Sequence, residues 1–326
     1  MKALLLTDVC KFEYTDVPTP EPKAGEVQIN IKACSICNSD VHGYDGASGR
    51  RQPGVIMGHE ASGVITKVGE GVEGIRVGDR VALSWSIHSQ VINIKSRFVH
   101  KLDDSISFSD GALAHIATFP MAAIRKCRLE MGESAIVMGM GILGTIAVVL
   151  LKTAGAAPVI AVDPDAAKRE KALKLGADYA LNPYDPDFAE TAKKLTDGGA
   201  NVGVEVTGIG AGLEGILDCM ARFGRVALLG CTRDSNFTID YYRKVHGPGI
   251  TLVGAHTNAR PGRNSSGGWW TEWDDLEAVL KLTRLGRIKL SDLVEEVHSP
   301  EEATEVYTRL CNEKTFPLVQ FDWSKL

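Results

Sequence analysis

Two short segments of this 326-residue chain hold a thiol, an imidazole and a carboxylate close together. One is Cys37-Asn38-Ser39-Asp40-Val41-His42. The other is Gly58-His59-Glu60. These are the donor types that a catalytic zinc takes, with three protein ligands and one position left open. Far downstream, Gly139-Met140-Gly141-Ile142-Leu143-Gly144 follows the apolar run Ser134-Ala135-Ile136-Val137-Met138. A glycine-rich turn between a buried strand and a helix is what a dinucleotide needs. Together the two features point to zinc-assisted hydride transfer between an alcohol and a nicotinamide.

Gly139, Gly141 and Gly144 stand at the three positions of the dinucleotide fingerprint. The first allows the tight turn, the second lets pyrophosphate approach the backbone, and the third lets helix and strand pack closely. Ile142 and Leu143 open the helix whose free N–H groups and positive dipole end face the phosphates. Asp163 lies nineteen positions after Gly144, at the end of the next apolar run. A carboxylate there accepts from both ribose hydroxyls and repels a 2′-phosphate, which favours NAD over NADP. Lys168 and Arg169 follow it and could soften that repulsion. The plainer alternative is an ordinary βα turn with an incidental aspartate.

These groups need two kinds of scaffold. Residues 1 to about 115 read as β-rich and barrel-like. Val27-Gln28-Ile29-Asn30-Ile31-Lys32-Ala33 alternates apolar and polar, as do Gly63–Gly69 and Asp79–Leu83, with Gly71, Gly74 and Gly78 as turns. The first residues read as a strand and not as a signal peptide, because Asp8 interrupts the apolar triplet Leu4-Leu5-Leu6. From about residue 120 short continuous apolar runs alternate with helical stretches. The runs are 134–138, 158–163, 177–181, 202–206, 225–230 and 250–254; the named helices cover 142–154 and about 167–175. That pattern predicts a doubly wound parallel sheet of the Rossmann type. A last helix is expected over about 274–285.

The chain resembles the zinc-dependent medium-chain dehydrogenase/reductase superfamily of alcohol and polyol dehydrogenases over nearly its whole length. The family's Cys-Gly-(Ser/Thr)-Asp-x-His stands here as Cys37 to His42, with Asn38 in place of the glycine. Its Gly-His-Glu is Gly58-His59-Glu60, and its Val-Gly-Asp-Arg-Val is Val77-Gly78-Asp79-Arg80-Val81. The resemblance implies a GroES-like catalytic domain over 1–118, an NAD-binding Rossmann domain over 119–255 and a C-terminal part of the catalytic domain over 256–326. It implies Cys37 and His59 as zinc ligands. The family's third ligand is a cysteine, glutamate or aspartate just before the dinucleotide domain. The matching residue here is His115, the expected third ligand; Glu60, which the family holds behind the metal, is the substitute. Asp40 is expected to orient the His59 ring. Zinc would act as a Lewis acid on the substrate hydroxyl, with Ser39 meeting the substrate oxygen and His42 carrying the proton to solvent. The family's four-cysteine lobe is missing, because no cysteine occurs between Cys37 and Cys127. One catalytic zinc and no structural zinc is therefore expected. A homodimer or homotetramer is implied as well.

The net charge of −5 leaves no electrostatic footprint for nucleic acid. No apolar run approaches bilayer-spanning length. Seven dispersed cysteines fit a reduced, cytoplasmic protein. The substrate is weakly marked. A polar stretch from His256 to Asn264, followed by Trp269, Trp270 and Trp273, suits a polyol or sugar-type secondary alcohol. The tryptophans could equally be packing residues. His88 and Tyr44 are further candidates to line the cleft. Two alternatives stay open: a zinc-free quinone or enoyl reductase of the same fold, which the ligand set opposes, and a nucleotide-binding redox sensor without turnover, which Ser39 and His42 oppose.

Overall fold

The structure is a computed structural model that describes residues 1–46, 53–232, 235–313 and 316–325. The chain divides into two compact units. One is Met1–His115 with Val279–Leu326; the other is Ile116–Ala278. Residues 256–278 thus cluster with the second unit, beyond the expected boundary after residue 255. Among the described residues no helix is long and apolar enough to cross a membrane.

The first unit is built around the strand Glu26–Ser35. It pairs antiparallel with Glu60–Val68 on one side and Val319–Asp322 on the other, and also with Val91–Lys95. Arg80–Leu83 and Val99–Lys101 continue the sheet beyond Glu60–Val68, and Glu296–His298 extends the other edge. A second sheet joins Lys2–Asp8 to Lys11–Asp16 and to Val55–Ile56. The alternation in Glu26–Ser35 drives Val27, Ile29 and Ile31 into a core with Leu4, Leu6, Ile65, Val81, Phe321 and Trp323. Gly71, Gly74 and Gly78 all take positive φ, as turn positions at a strand end require.

The second unit carries six strands, Ala135–Met138, Val159–Val162, Tyr179–Leu181, Ala200–Glu205, Met220–Leu228 and Thr251–Gly254. Numbered along the chain within this unit, they lie in the order 3-2-1-4-5-6, and every neighbouring pair is parallel. That is the doubly wound dinucleotide-binding order. Ala135–Met138 and Val159–Val162 are buried along their whole length, which explains their unbroken apolar sequence.

Candidate metal centre and dinucleotide turn

Strand pairing brings the two ligand segments together. Ser35 and Glu60 are cross-strand partners at the end of their ladder. The chain leaving Ser35 therefore presents Cys37 beside His59 and Glu60. Cys37 sits at the N-cap of the short helix Asn38–Tyr44. Its backbone N–H donates to Asp40 Oδ2 at 3.3 Å. The other oxygen of Asp40 lies 3.2 Å from His59 Nδ1, the contact expected from the sequence. A buried carboxylate there makes Nδ1 the protonated nitrogen and leaves Nε2 free to act as a donor atom.

The ligand atoms of Cys37, His59 and Glu60 all lie within 4.8 Å of one another. Glu60 is fully buried. Among the described residues neither of its carboxylate oxygens accepts a hydrogen bond of good geometry; His59 Nε2 lies 3.4 Å from Oε1. Burial alone would push the His59 imidazole towards its neutral form. The charge of Asp40, its hydrogen bond, and the nearby Cys37 and Glu60 side chains outweigh that effect and hold its pKa well above the ordinary value. The surroundings thus favour positive charge at this point, on the imidazole or as a cation among the donors. Thiolate, imidazole and carboxylate in a largely dry setting fit zinc.

His115 does not join this group. It lies on the helix Phe108–Lys126, fully buried, with its ring centroid 4.9 Å from the Trp85 indole. Trp85 in turn lies 6.1 Å from the His59 ring. Among the described residues, the donor atoms that come together are thus those of Cys37, His59 and Glu60. Ser39 is exposed in the first turn of its helix. His42 is half-buried, with Nδ1 3.8 Å from Asp45 Oδ2. The expectation that His88 and Tyr44 line a cleft does not hold. Both are fully buried, Tyr44 stacked on Phe12 and His88 edge-on to Phe321.

In the second unit the three glycines separate by physical role. Gly139 has φ +100°, a conformation that L side chains rarely adopt. A Cβ on Gly144 would fall 1.8 Å from the Gly139 carbonyl oxygen. A Cβ on Gly141 would meet nothing within 4 Å, so this position is open on the side where a ligand approaches. Gly141 caps the helix Ile142–Thr153, and Ile142 and Leu143 form its first turn. Asp163 is buried at the end of its strand and accepts from Met140 N–H (2.8 Å) and Asp165 N–H (2.9 Å). Carboxylate oxygens have lone pairs beyond these two bonds, enough to accept from ribose hydroxyls as well. Lys168 lies half-buried on the following helix, and Arg169 donates to the Asp163 and Pro164 carbonyls. Glu205 escaped the sequence pattern. It is buried, accepts from the Thr207 hydroxyl and from the Thr207 and Gly208 N–H groups, and so braces the loop packed against Gly139. Its signal was a charged residue closing an otherwise apolar strand. Trp269 and Trp270 are half-exposed and lie over the Lys126 and Arg125 cations.

Comparison with known proteins agrees with both halves. Residues 23–129 match the family described as alcohol dehydrogenase GroES-like domain, and residues 143–268 match zinc-binding dehydrogenase. The chain is 31% identical over 314 residues to L-threonine 3-dehydrogenase of Pyrococcus horikoshii, covering 86% of each. It is 30% identical over 264 residues to sorbitol dehydrogenase of Bacillus subtilis, covering 71% of this chain and 75% of that one. The crystal structure of 2R,3R-butanediol dehydrogenase from Bacillus subtilis superposes with a TM-score of 0.84 at 25% identity, over 98% of this chain and 99% of that one.

Proposed function

Because the chain belongs to the zinc-dependent medium-chain dehydrogenases, we propose that it oxidises a secondary alcohol bearing a polar group on the neighbouring carbon, with NAD as hydride acceptor and a single zinc held by Cys37, His59 and Glu60. The protein is an oxidoreductase acting on CH–OH groups of alcohols or polyols, with zinc and a nicotinamide cofactor. The finer substrate class draws on the relatives. Threonine, butanediol and sorbitol all carry a hydroxyl beside a second heteroatom. The observation that carries the metal reading is the buried Glu60 carboxylate, which among the described residues accepts no well-formed hydrogen bond and has an oxygen within 4.8 Å of a thiol and an imidazole nitrogen.

When bound, zinc supplies the Lewis acid that lowers a hydroxyl pKa, and NAD supplies the hydride acceptor. The protein's own groups do the rest. Asp40 fixes the His59 tautomer so that Nε2 points at the ligand group. Ser39, exposed two residues after Cys37, is the first acceptor for the substrate hydroxyl proton, and His42 is the next. The preference for NAD rests on Asp163 at the end of its strand. Seven thiols with no disulfide suit a reducing, cytoplasmic setting.

The test is metal analysis of the purified protein together with NAD and NADP reduction over threonine, 2,3-butanediol, sorbitol and simple secondary alcohols. One zinc per chain and NAD reduction with a vicinally substituted alcohol are expected. A protein that takes up no zinc, or that turns over none of these with either cofactor, refutes the proposal.

A further inference from the structure

Gly58, which precedes the two ligands His59 and Glu60, has φ +105°. Its backbone rests directly on another residue. A Cβ placed on Gly58 would lie 2.9 Å from both Cγ and the backbone nitrogen of His88. The His88 backbone N–H donates to the Met57 carbonyl at 2.5 Å, so His88 holds the turn by its backbone and fills the space beneath it with its ring. That ring is itself fixed at both ends. Nδ1 lies 3.0 Å from Cys34 Sγ, on the strand that pairs with Glu60–Val68. Nε2 lies 2.7 Å from the Tyr307 hydroxyl, on the helix Ala303–Asn312. Cys34, His88 and Tyr307 are all fully buried, and Phe321 packs edge-on to the imidazole at 5.5 Å. Turning the ring would break both of these buried contacts at once.

We propose that His88 is a positioning residue for the metal centre: clamped between Cys34 and Tyr307, its ring sets the Gly58 turn from which His59 and Glu60 project. The inference rests on Cys37, His59 and Glu60 being the metal site. Ligand distances in such sites hold to about ±0.2 Å, so a turn that relaxes into a void loses affinity even with every ligand present. Groups that orient metal ligands are typically worth about 10–100-fold in metal affinity, and His88 acts through the backbone in the same sense.

The experiment measures zinc affinity by chelator competition and records the visible spectrum of the cobalt-substituted protein, for wild type, His88→Ala, His88→Gln and Tyr307→Phe. NADH affinity serves as a control reporting on the other unit. His88→Ala is expected to weaken zinc about tenfold or more and to shift the cobalt bands, with NADH affinity unchanged. His88→Gln, which can still reach a buried hydrogen-bond partner, should recover part of the loss. Tyr307→Phe removes one hydroxyl and leaves the ring stack in place, so it keeps the test decisive should His88→Ala not fold. It should weaken zinc severalfold and broaden the cobalt bands. Wild-type zinc affinity and an unaltered cobalt spectrum in folded Tyr307→Phe or His88→Ala would overturn the role of His88 alone. A wild-type protein that binds neither zinc nor cobalt would overturn the metal site and this inference with it.

Discussion

Adding one methyl group at Gly141 and at Gly144 should give two opposite results. At Gly144 the new Cβ would lie 1.8 Å from the Gly139 carbonyl oxygen and 3.2 Å from Val206 Cγ2. The closer neighbour is backbone and cannot rotate away, so the turn or the helix Ile142–Thr153 must shift. Overpacking of this kind costs about 1–3 kcal/mol, sometimes more. For a domain of this size each kcal/mol lowers the melting temperature by roughly 2–4 °C, so Gly144→Ala should melt about 2–12 °C lower. At Gly141 no atom lies within 4 Å, and φ −75° with ψ −171° is open to any residue. Restricting the unfolded chain stabilises by about 0.4–1 kcal/mol, and losing a glycine N-cap for alanine offsets a comparable amount. Gly141→Ala should therefore melt within about 2 °C of wild type. It should still bind dinucleotide at least about tenfold more weakly, a loss of about 1.4 kcal/mol, because the methyl stands where pyrophosphate approaches. Thermal unfolding and NADH fluorescence titration on both variants decide the matter. A stable Gly144→Ala protein, or a Gly141→Ala protein with normal NADH affinity, would refute the assignment of roles within the turn.

Three further outcomes are expected. Glu60→Gln should weaken zinc by more than the roughly 10–100-fold typical of groups outside the ligand set, whereas His115→Ala should keep its zinc; metal analysis showing the reverse would restore His115 as the ligand. In metal-free protein the raised pKa of His59 contributes stability that is fully present below the unfolded-state value of about 6.5 and is lost as pH rises through the folded-state value. Other groups apart, the metal-free melting temperature should fall as pH rises above about 6.5, more than in a His59→Gln control, and a fall of equal size in that control would remove His59 as the cause. Asp163→Gly should weaken NAD and relatively favour NADP, read as the ratio of the two dissociation constants; an unchanged ratio would take Asp163 away from the ribose.

The parallel sheet and its glycine turn were legible because their signals are local. Each buried strand is a short apolar run, and the fingerprint glycines are set by the turn they make. The convergence of Glu60 with His59 was not legible. His59 and Glu60 are adjacent, and adjacent residues of a regular strand point to opposite faces. Strand pairing begins only at Glu60; His59 precedes it, after a glycine with φ +105°, and so both side chains converge. His115 held the family's usual place in sequence, but its ring lies against Trp85. His88 read as a cleft-lining candidate because its partners, Cys34 and Tyr307, stand 54 and 219 positions away. Partners so distant leave no local trace.

Asp163 carries a consequence for how cofactor choice could change. Its two carboxylate oxygens are each tied to a backbone N–H, one from the glycine turn and one from the start of the following loop. The side chain is thus part of the framework that shapes the turn. Swinging it aside to admit a 2′-phosphate would untie both amides in a buried setting, at about 1–3 kcal/mol for each unpaired group. If Asp163 sets cofactor choice, as proposed, that choice is rigid within one sequence and adjustable only between sequences: a lineage could switch cofactors by replacing Asp163 and re-bracing the turn, but conformational change alone would have to break both bonds.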